Sequence, residues 1–541
     1  MKTNLKTTGL RYWMLRVLEE CDHVALDFSA DPVHDLRVAL RRCRSLADGM
    51  IAMDPDPDWK AMKKAGKRLF QSLGALRDVQ IMMEWIDQLH PEKREGSASG
   101  DAQGDISRNE LGSEGKVAEE GTQVTRDPSA HALLGILRHR ESEEKHKART
   151  ALEEFDRKQW RQWSKTLPQR ATRIRPGSAV FKHLALERWT TARELHARAM
   201  RNRSQVALHT LRIGIKRFRY IVENFLPVEH KLWSNDLKHM QDLLGEVHDL
   251  DVLWATALGS RVFPDEASRK AWHERIVEER SKRVDEYRSK MTGPEPLWNV
   301  WRAGLPKDKQ IQNLATQRMK LWARVLDPDF AHSERVARIA LELYDGLIAG
   351  GLYSADANGS SQEARASLYA AALLHDVGKV KGNKGHHKES MELIQKHGTP
   401  LGWKPETMQR AAAVARFHCG ALPTRGHKAL RDMLPPEQKT TIQLAAVLRL
   451  ANALDAAHDG HIRKVEIENL DKTRRRSNGF LRKLAPLPKE QALVIAAEGY
   501  TPSSPIAQTV AAERYLLETV LRRPVIVKAM QAPAARVRVA S

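Results

Sequence analysis

The C-terminal half of the sequence contains histidines and aspartates that could together hold a divalent metal. An adjacent His-Asp pair ends the apolar stretch YAAALLHDVGKV, and other segments before and after it contribute further histidines and an aspartate. Neutral imidazoles and carboxylates are ligands of divalent transition metals, so this set predicts a site for one or two ions. The predicted metal ligands are His332, His375, Asp376, His387, His418 and Asp455.

A basic segment that occurs twice forms a second candidate site in the N-terminal half. VHDLRVALRRCRS returns as LHTLRIGIKRFRY, with the basic positions in the same register. At about 100° per residue most of these positions share one face of a helix, and apolar residues occupy the opposite face. Cations stacked in this way without acids repel one another, which predicts a bound anion, and arginine forks suit phosphate oxygens. The predicted anion-binding residues are His34, Arg37, Arg41, Arg42, Arg44, His209, Arg212, Lys216, Arg217 and Arg219.

Helices must position both sets of residues, because the hydrophobic pattern has a helical period over most of the chain. A second matching pair, SLGALRDVQ and LLGEVHDLD, indicates that the N-terminal half is a duplicated helical module. Near the C-terminus, short apolar runs such as VEIENL, ALVIAAE and PVIVKAM surround a helical AAERYLLETVL, which predicts a small α+β portion. The fold class predicted is therefore mainly α.

The pattern divides the chain into four parts. We predict a duplicated helical domain over residues 5–290, a linker over 291–314, a second all-α domain over 315–465 and the α+β portion over 466–530. Residues 96–128 are rich in glycine and acids and lack aromatic side chains, which predicts a disordered insert. This insert is either a plain linker or an acidic tether that competes for the basic surface.

The composition limits the partners and the compartment. The 541 residues include 89 lysines and arginines against 68 aspartates and glutamates, a formal net charge of +21. This excess favours a polyanionic partner, whether nucleic acid, anionic lipid or another phosphate polymer. The three cysteines, Cys21, Cys43 and Cys419, are too few and scattered for a disulfide framework or a thiolate zinc site, so we expect inert thiols. Without a signal-peptide core or a bilayer-length apolar run, we expect a cytoplasmic protein with no membrane partner.

The N-terminal half resembles the CHAD family, the conserved-histidine α-helical domain. The resemblance rests on HDLRVALRRCRS, LGALRD, HTLRIGIKRFRY and LGEVHD. It implies two pseudo-symmetric helical bundles that form a basic cavity, and it implies that the ten anion-binding residues named above bind inorganic polyphosphate there. One departure is Cys43, at a position where the family usually has leucine.

The C-terminal half resembles the HD phosphohydrolase superfamily in the order His, His-Asp, His, His, Asp. The segments ARFHCGALP, VLRLANALDAAH and ERYLLETVLRRPVIV are most similar to the C-terminal half of the exopolyphosphatase and guanosine pentaphosphate phosphatase family, over about residues 315–530. The ligands implied for a first metal are His332, His375, Asp376 and Asp455, and those for a second are Asp376, His387 and His418.

Some of the candidate histidines lie next to others in the sequence, so more than one could be the ligand. His387 is preferred to His386 as the ligand because it lies seven residues before Ile394, the spacing that the family uses, and His386 is expected to be exposed. His458 and His461 follow the last aspartate too closely to share its site without a turn, so we expect them at the surface.

The resemblance implies hydroxide attack on phosphorus, with two cations neutralising the phosphate oxygens. The catalytic residues would be His375, Asp376 and Lys379, where Lys379 either reaches a phosphate oxygen or is an ordinary surface lysine. The metal would be Mn, Fe, Mg, Co or Zn.

The function predicted is therefore a polyphosphate-binding protein with a metal-dependent phosphohydrolase site for polyphosphate or a related phosphoanhydride. Nucleic acid is the less favoured partner. In exopolyphosphatases, however, hydrolysis resides in a separate actin-like domain, so one alternative is a polyphosphate-binding regulatory protein without turnover. Another is a nucleotide phosphohydrolase for which polyphosphate is only an allosteric ligand.

Overall fold

The computed structural model describes most of the chain. The described residues are 9–90, 127–202, 204–353, 360–468 and 492–530, together with the short strands at 93–94 and 124–125. The predicted insert lies almost entirely outside these residues.

The chain splits into two compact units. One comprises Met1–Ile51 and Asp56–Pro306, and the other comprises Lys307–Ser541 with the short segment Ala52–Pro55.

The first half of the first unit is helical. Its elements are α1 (Leu10–Leu26), α2 (Ala30–Ile51), α3 (Pro57–Ala65), α4 (Lys67–Leu89), β1 (Lys93–Arg94), β2 (Val124–Thr125), α5 (Pro128–Glu153) and α6 (Arg157–Ala171). Strands β1 and β2 pair antiparallel. Helix α2 carries the first basic segment, and its apolar face, including Leu36, Leu40 and Cys43, is fully buried. The apolar packing face predicted for this helix is thus confirmed.

The second half of this unit repeats the arrangement. Its helices are α7 (Ala179–Asn202), α8 (Gln205–Phe225), α9 (Pro227–Gly259), α10 (Glu266–Thr292) and α11 (Leu297–Ala303). Helix α8 carries the second basic segment and buries Leu211, Ile215 and Phe218. The region predicted as a linker contains α11, because Trp298 and Trp301 are fully buried there and Trp301 lies 5.7 Å from Phe218 between ring centroids.

The second unit is a helical domain followed by a small sheet. Its helices are α12 (Lys309–Leu326), α13 (Phe330–Ala349), α14 (Ser360–Leu374), α15 (His386–His397), α16 (Pro405–Arg416), α17 (Lys428–Arg431), α18 (Pro435–Leu454), α19 (Pro505–Glu513) and α20 (Tyr515–Leu521), with a 3₁₀ turn at Val377–Lys381. Alanine-rich faces of α14, α16 and α18 allow these helices to pack closely around one core.

The sheet contains β3 (Lys464–Ile467), β4 (Leu493–Glu498) and β5 (Val525–Ala529). Strand β4 lies in the centre, antiparallel to β3 and parallel to β5, and α19 and α20 form the connection between β4 and β5. The mainly α fold with a small α+β portion is confirmed. Among the described helices, none combines the length and apolarity that a membrane span needs.

Candidate functional site

Three histidines of the second unit direct their Nε2 atoms towards Asp376. In His375, His386 and His418 alike, Nδ1 lies 2.7 Å from the backbone carbonyl oxygen of the residue three positions earlier. A carbonyl only accepts, so each Nδ1–H donates to it, and Nε2 offers a lone pair wherever the ring is neutral. Metal-binding histidines are typically oriented by such a bond at the other ring nitrogen.

The Asp376 carboxylate lies between two groups of these nitrogens. Its Oδ1 is 3.3 Å from Nε2 of His386 and 3.8 Å from Nε2 of His418. Its Oδ2 is 3.5 Å from Nε2 of His375 and 4.0 Å from Nε2 of His332. One carboxylate therefore faces a nitrogen pair on each side, the arrangement that a bridging ligand requires.

The structure differs from the sequence prediction in the choice between His386 and His387. His386 is only 15% exposed and faces Asp376, whereas Nδ1 of His387 lies 3.5 Å from Sγ of Cys419. Helix α15 begins at His386, and this start turns the His386 ring towards the aspartate. Burial, with the nearby Arg416 and His386, lowers the pKa of His387 to about 4.

Gly378 and Ser390 fix the turn after the His-Asp pair. The buried Ser390 hydroxyl donates to the carbonyl of His375 over 2.6 Å and accepts from the amide of Gly378 over 2.9 Å. A Cβ at Gly378 would lie 2.1 Å from the carbonyl oxygen of His386. Only glycine permits this approach, because backbone atoms would otherwise have to move.

Replacing Gly378 by alanine should therefore destabilise the second unit and displace His386. We expect a loss of about 1–3 kcal/mol in the free energy of unfolding, as for other overpacked sites, measured by chemical denaturation. Gly426→Ala is the matched control, because a Cβ at Gly426 meets no atom within 4 Å. Equal stability of the two variants would contradict the prediction.

Arg449 holds the turn that carries His418 and Cys419. Its buried guanidinium donates to the carbonyls of Phe417 and Gly420 over 3.2 Å and pairs with Glu513 over 2.7 Å. Because this arginine belongs to α18, the position of the turn is coupled to the core of the unit. Neither Arg449 nor Glu513 stands out in the sequence as a site residue.

Asp455 contacts His332 and an arginine. Its Oδ2 is 2.7 Å from Nδ1 of His332, and Nε of Arg335 donates to Oδ1 and Oδ2 over 3.0 and 2.9 Å. This geometry suits a residue that orients His332, which differs from the predicted role of direct ligand. The difference arises because Arg335, one turn along α13, reaches the same carboxylate.

His458 lies at the surface, as expected, but its ring also reaches the site. It has φ of 59°, so the chain turns back, and its ring stacks on His332 at 3.8 Å between centroids. Its Nδ1 lies 2.7 Å from Oδ2 of Asp329, the N-cap of α13. A turn therefore follows Asp455, which the sequence analysis required for His458 to share the site. His458 lines the same pocket as Asp376.

Electrostatics keep Asp376 ionised. Burial would raise the pKa of Asp376, but His375, His386 and Lys379 hold it well below its usual range. The Lys379 ammonium lies 2.5 Å from Oδ2. In turn, the bond with Asp376 raises the pKa of His386 to about 10. In the metal-free protein a proton therefore joins the His386 ring to the Asp376 carboxylate.

These residues fit a metal centre. His375 is fully buried, and its Nε2 has no hydrogen-bond partner within the part of the chain that the structure describes. The Nε2 atoms of His386 and His418 are 2.9 Å apart, less than the roughly 3.4 Å between two nitrogens bound at tetrahedral angles to one cation at about 2.1 Å, so the two rings would separate slightly around an ion. Two ligand groups emerge, one of His332, His375 and Asp376 and one of His386, His418 and Cys419.

In the first unit, residues of both basic segments line one cavity of about 230 Å³. His34, Arg37 and Arg41 of α2 meet Lys216 of α8 there. The cavity wall also includes Phe70, Arg77 and Ile81 from α4, which the repeat alone did not single out.

Two predicted residues, Arg37 and Arg212, face the glycine of the second repeated motif. Nη1 of Arg37 donates to the carbonyls of Leu73 and Gly74 over 2.8 and 2.9 Å. A Cβ at Gly74 would lie 3.6 Å from this guanidinium, and one at Gly245 would lie 3.9 Å from Nε of Arg212. The arginine therefore packs beside the repeated glycine in both halves, at distances where a Cβ would make ordinary van der Waals contact.

Several predicted cations have protein partners. Nη1 of Arg44 donates to the carbonyl of Lys63 over 2.7 Å. Arg42 pairs with Glu223, which also lies 3.9 Å from Arg219. The expectation that no acid neutralises these faces thus fails at Glu223.

The remaining predicted residues lie at the edges of the basic segments. Arg217 is exposed, and His209 is partly buried with Nδ1 3.3 Å from Nδ1 of His248. Burial, followed by Arg212, lowers the pKa of His248 to about 4.

Arg41 and Lys216 are the least neutralised of the predicted cations. Nε of Arg41 is buried with no hydrogen-bond partner among the described residues. Burial, together with Arg212 and Arg41, lowers the pKa of Lys216 to about 8. Both lie beside the Tyr220 ring, at 5.9 and 5.8 Å from its centroid.

Comparisons with protein families match both parts of the chain. The CHAD domain model matches residues 14–258, and the model described as Ppx/GppA phosphatase, domain III matches residues 315–493. The resemblances to the CHAD family and to the exopolyphosphatase and guanosine pentaphosphate phosphatase family are thereby confirmed. No curated protein matches the chain significantly.

Proposed function

We propose that this chain, which joins a CHAD domain to a Ppx/GppA phosphatase domain III, binds inorganic polyphosphate and hydrolyses phosphoanhydride bonds at a metal centre in its second unit. The observation that carries the proposal is the convergence of oriented histidine Nε2 atoms on both oxygens of Asp376. The fusion supports polyphosphate as the substrate, because the basic cavity of the first unit suits the same polymer.

The basic cavity supports binding of an extended polyanion. Arg41 and Lys216 come from different repeats, yet they line the same cavity, where Asp78 offsets only part of the Lys216 charge. Phosphate oxygens would supply the acceptors that Arg41 Nε lacks and would offset the repulsion between the cations. The cavity is therefore more stable with an anion bound than without one.

The metal would be held by Asp376 with His332 and His375 on one side and with His386 and His418 on the other. When bound, it supplies neutralisation of phosphate oxygens and activation of water. Lys379 lies at the pocket with 23% of its side chain exposed, so it can contact a phosphate oxygen while it remains paired with Asp376.

The pocket around these residues is large enough for phosphate groups but not for a whole nucleotide. Its volume of about 190 Å³ is below the roughly 300–1,000 Å³ typical of sites that enclose drug-sized ligands. Asn452, His458, Thr509 and Glu513 line it with the metal-centre residues. A terminal phosphate with its neighbour fits this space, whereas a nucleoside would have to remain outside it.

A polyphosphate-binding regulatory protein without turnover is the second candidate function. The pairing of Asp455 with Arg335 favours it, because one expected metal ligand is already neutralised. The cavity of the first unit would bind polymer in the same way in both cases.

Phosphate release by metal-loaded protein distinguishes the two functions. The substrates are polyphosphate, pyrophosphate and nucleotides, and Asp376→Ala is assayed in parallel. Release from polyphosphate that a chelator abolishes and that Asp376→Ala lacks supports the hydrolase. Tight polyphosphate binding without release from any substrate supports the regulatory protein.

Polyphosphate binding should weaken as the pH rises above about 8. The free protein loses the Lys216 proton there, whereas bound phosphate favours the charged amine, so binding takes up a proton in this range. Uptake of one proton on binding lowers the polyphosphate affinity by up to about tenfold per pH unit. The affinity is measured by calorimetry at constant ionic strength. Lys216→Arg is the control, because the guanidinium stays charged. Equal pH dependence of both proteins would contradict a role for Lys216.

A further inference from the structure

Cys419 lies at the metal centre rather than in inert packing. Its Sγ is 3.9 Å from Nε2 of His386, and the ligand atoms of His386, His418 and Cys419 all lie within 4.8 Å of one another. Cys419 is partly buried, whereas Cys21 and Cys43 are fully buried in the first unit. The small number of cysteines predicted inert thiols and gave no sign that Cys419 lies beside possible metal ligands.

We propose that Cys419 is a thiolate ligand of the ion between His386 and His418, and that it makes this position selective for Zn²⁺ or Co²⁺ over Mg²⁺. The inference rests on the proposed function, because it adds a ligand to the same centre.

The distances agree with a four-ligand site. With metal–nitrogen and metal–sulfur bonds of about 2.1 and 2.3 Å, tetrahedral angles separate nitrogen from sulfur by about 3.6 Å. The observed 3.9 Å between Cys419 and His386 is close to this value. Oδ1 of Asp376, 3.3 Å from His386 and 3.8 Å from His418, supplies the fourth donor. Imidazole nitrogen, thiolate sulfur and carboxylate oxygen are each ligands that zinc takes in proteins.

The surrounding fold holds the cysteine in this position. Gly420 follows it with φ of +72°, which closes the turn, and Arg449 binds the carbonyls on both sides of the pair formed by His418 and Cys419. A Cβ at Gly420 would lie 3.5 Å from the His387 ring. The backbone of Cys419 is therefore held in place, and a single torsion, χ1, sets the position of the sulfur.

The chemistry of the ligands determines the selectivity. A coordinating thiol loses its proton, which passes to solvent as the metal–sulfur bond forms. Thiolate and imidazole favour Zn²⁺ and Co²⁺, whereas Mg²⁺ prefers oxygen ligands and retains its waters. The same position without sulfur would discriminate less between these ions.

Cobalt substitution tests the ligand directly. Co²⁺ is added to the metal-free full-length protein, and absorption is recorded in the visible and near-ultraviolet ranges. We expect the visible bands of a four-coordinate ion together with an intense sulfur-to-cobalt charge-transfer band, and a large excess of Mg²⁺ should not remove them. Cys419→Ser should lose the charge-transfer band and bind Zn²⁺ at least about tenfold more weakly. Cys43→Ala, which removes a buried thiol of the first unit, should keep the band.

The outcomes separate this inference from the proposed function. Wild-type protein that binds Co²⁺ with visible bands but no charge-transfer band overturns the thiolate ligand and leaves the metal centre intact. Persistence of the charge-transfer band in Cys419→Ser overturns it as well. If equilibrium dialysis finds neither Co²⁺ nor Zn²⁺ bound to the folded wild-type protein, both the inference and the proposed metal centre fail.

Discussion

Replacing Asp376 by asparagine should abolish metal binding and phosphate release while leaving polyphosphate affinity unchanged. The carboxylate faces histidine nitrogens with both oxygens, whereas asparagine is neutral and presents an amide donor on one side. Changes outside the ligand shell typically cost 10–100-fold in metal affinity, so loss of this ligand should cost at least about 100-fold. Metal content after dialysis and phosphate release from polyphosphate are the two measurements.

The control for this substitution is Asp345→Asn. Asp345 is an exposed aspartate of the same unit that pairs with Arg365 over 2.8 Å, so this change removes one carboxylate charge away from the centre. It should leave metal content and turnover unchanged. An Asp376→Asn protein that folds, retains its metal and still releases phosphate would contradict the proposed site.

The acid stability of the protein should reflect the same carboxylate. The pKa of Asp376 in the folded protein lies below its unfolded value, so ionised Asp376 contributes stability above the unfolded pKa, near 4. This contribution is lost as the pH falls through the folded pKa. Asp376→Asn should therefore weaken the acid dependence of the unfolding free energy of metal-free protein.

Periodicity and residue type predicted much of the molecule. The buried faces of α2 and α8 follow from apolar spacing at the helical period, and the short strands follow from apolar runs between turns. Histidine and aspartate on several helices indicated a metal centre, because imidazole and carboxylate are both ligands of divalent transition metals. These properties depend on local sequence.

The direction of individual side chains depends on tertiary packing, so it could not be predicted from the local sequence. Selection of His386 over His387 depends on where α15 begins against Gly378, and this contact depends on how the short loop between them folds back. Pairing of Asp455 with Arg335 depends on how α13 and α18 pack. Proximity of Cys419 to the centre depends on the turn that Arg449 holds.

The basic segments illustrate the same limit. The basic positions in register predicted mutual repulsion, but the structure gives some of these arginines fixed roles in the fold. Arg37 binds carbonyls of α4, and Arg44 binds the carbonyl of Lys63 in α3. Replacing these two should cost stability, because buried carbonyls would lose their donors. The repulsion predicted from the sequence therefore concerns Arg41 and Lys216 most directly.

The double variant Arg41→Gln/Lys216→Gln should weaken polyphosphate binding by at least about 100-fold at low salt, since a hydrogen bond to a charged group contributes about 1.5–3 kcal/mol. Nε of Arg41 is buried without a hydrogen-bond partner in the described part of the chain, and burial and neighbouring cations disfavour the Lys216 charge. Binding is measured by titration at several salt concentrations. The salt dependence of the variant should be shallower, because fewer counterions are released.

The same variant should be more stable than the wild type without polyphosphate, because neutral side chains remove the repulsion. Saturating polyphosphate should raise the melting temperature of the wild type and have little effect on the variant, since a ligand stabilises the folded state only in proportion to its binding. The matched control is Arg68→Gln/Arg269→Gln, which removes two cations of the same unit that pair with Glu154 and Glu266. Because these residues lie outside the cavity of α2 and α8, the control changes net charge equally but should retain most of the affinity. If both double variants lose affinity to the same extent, polyphosphate binds through the overall positive charge of the protein and not through the cavity between the repeated helices.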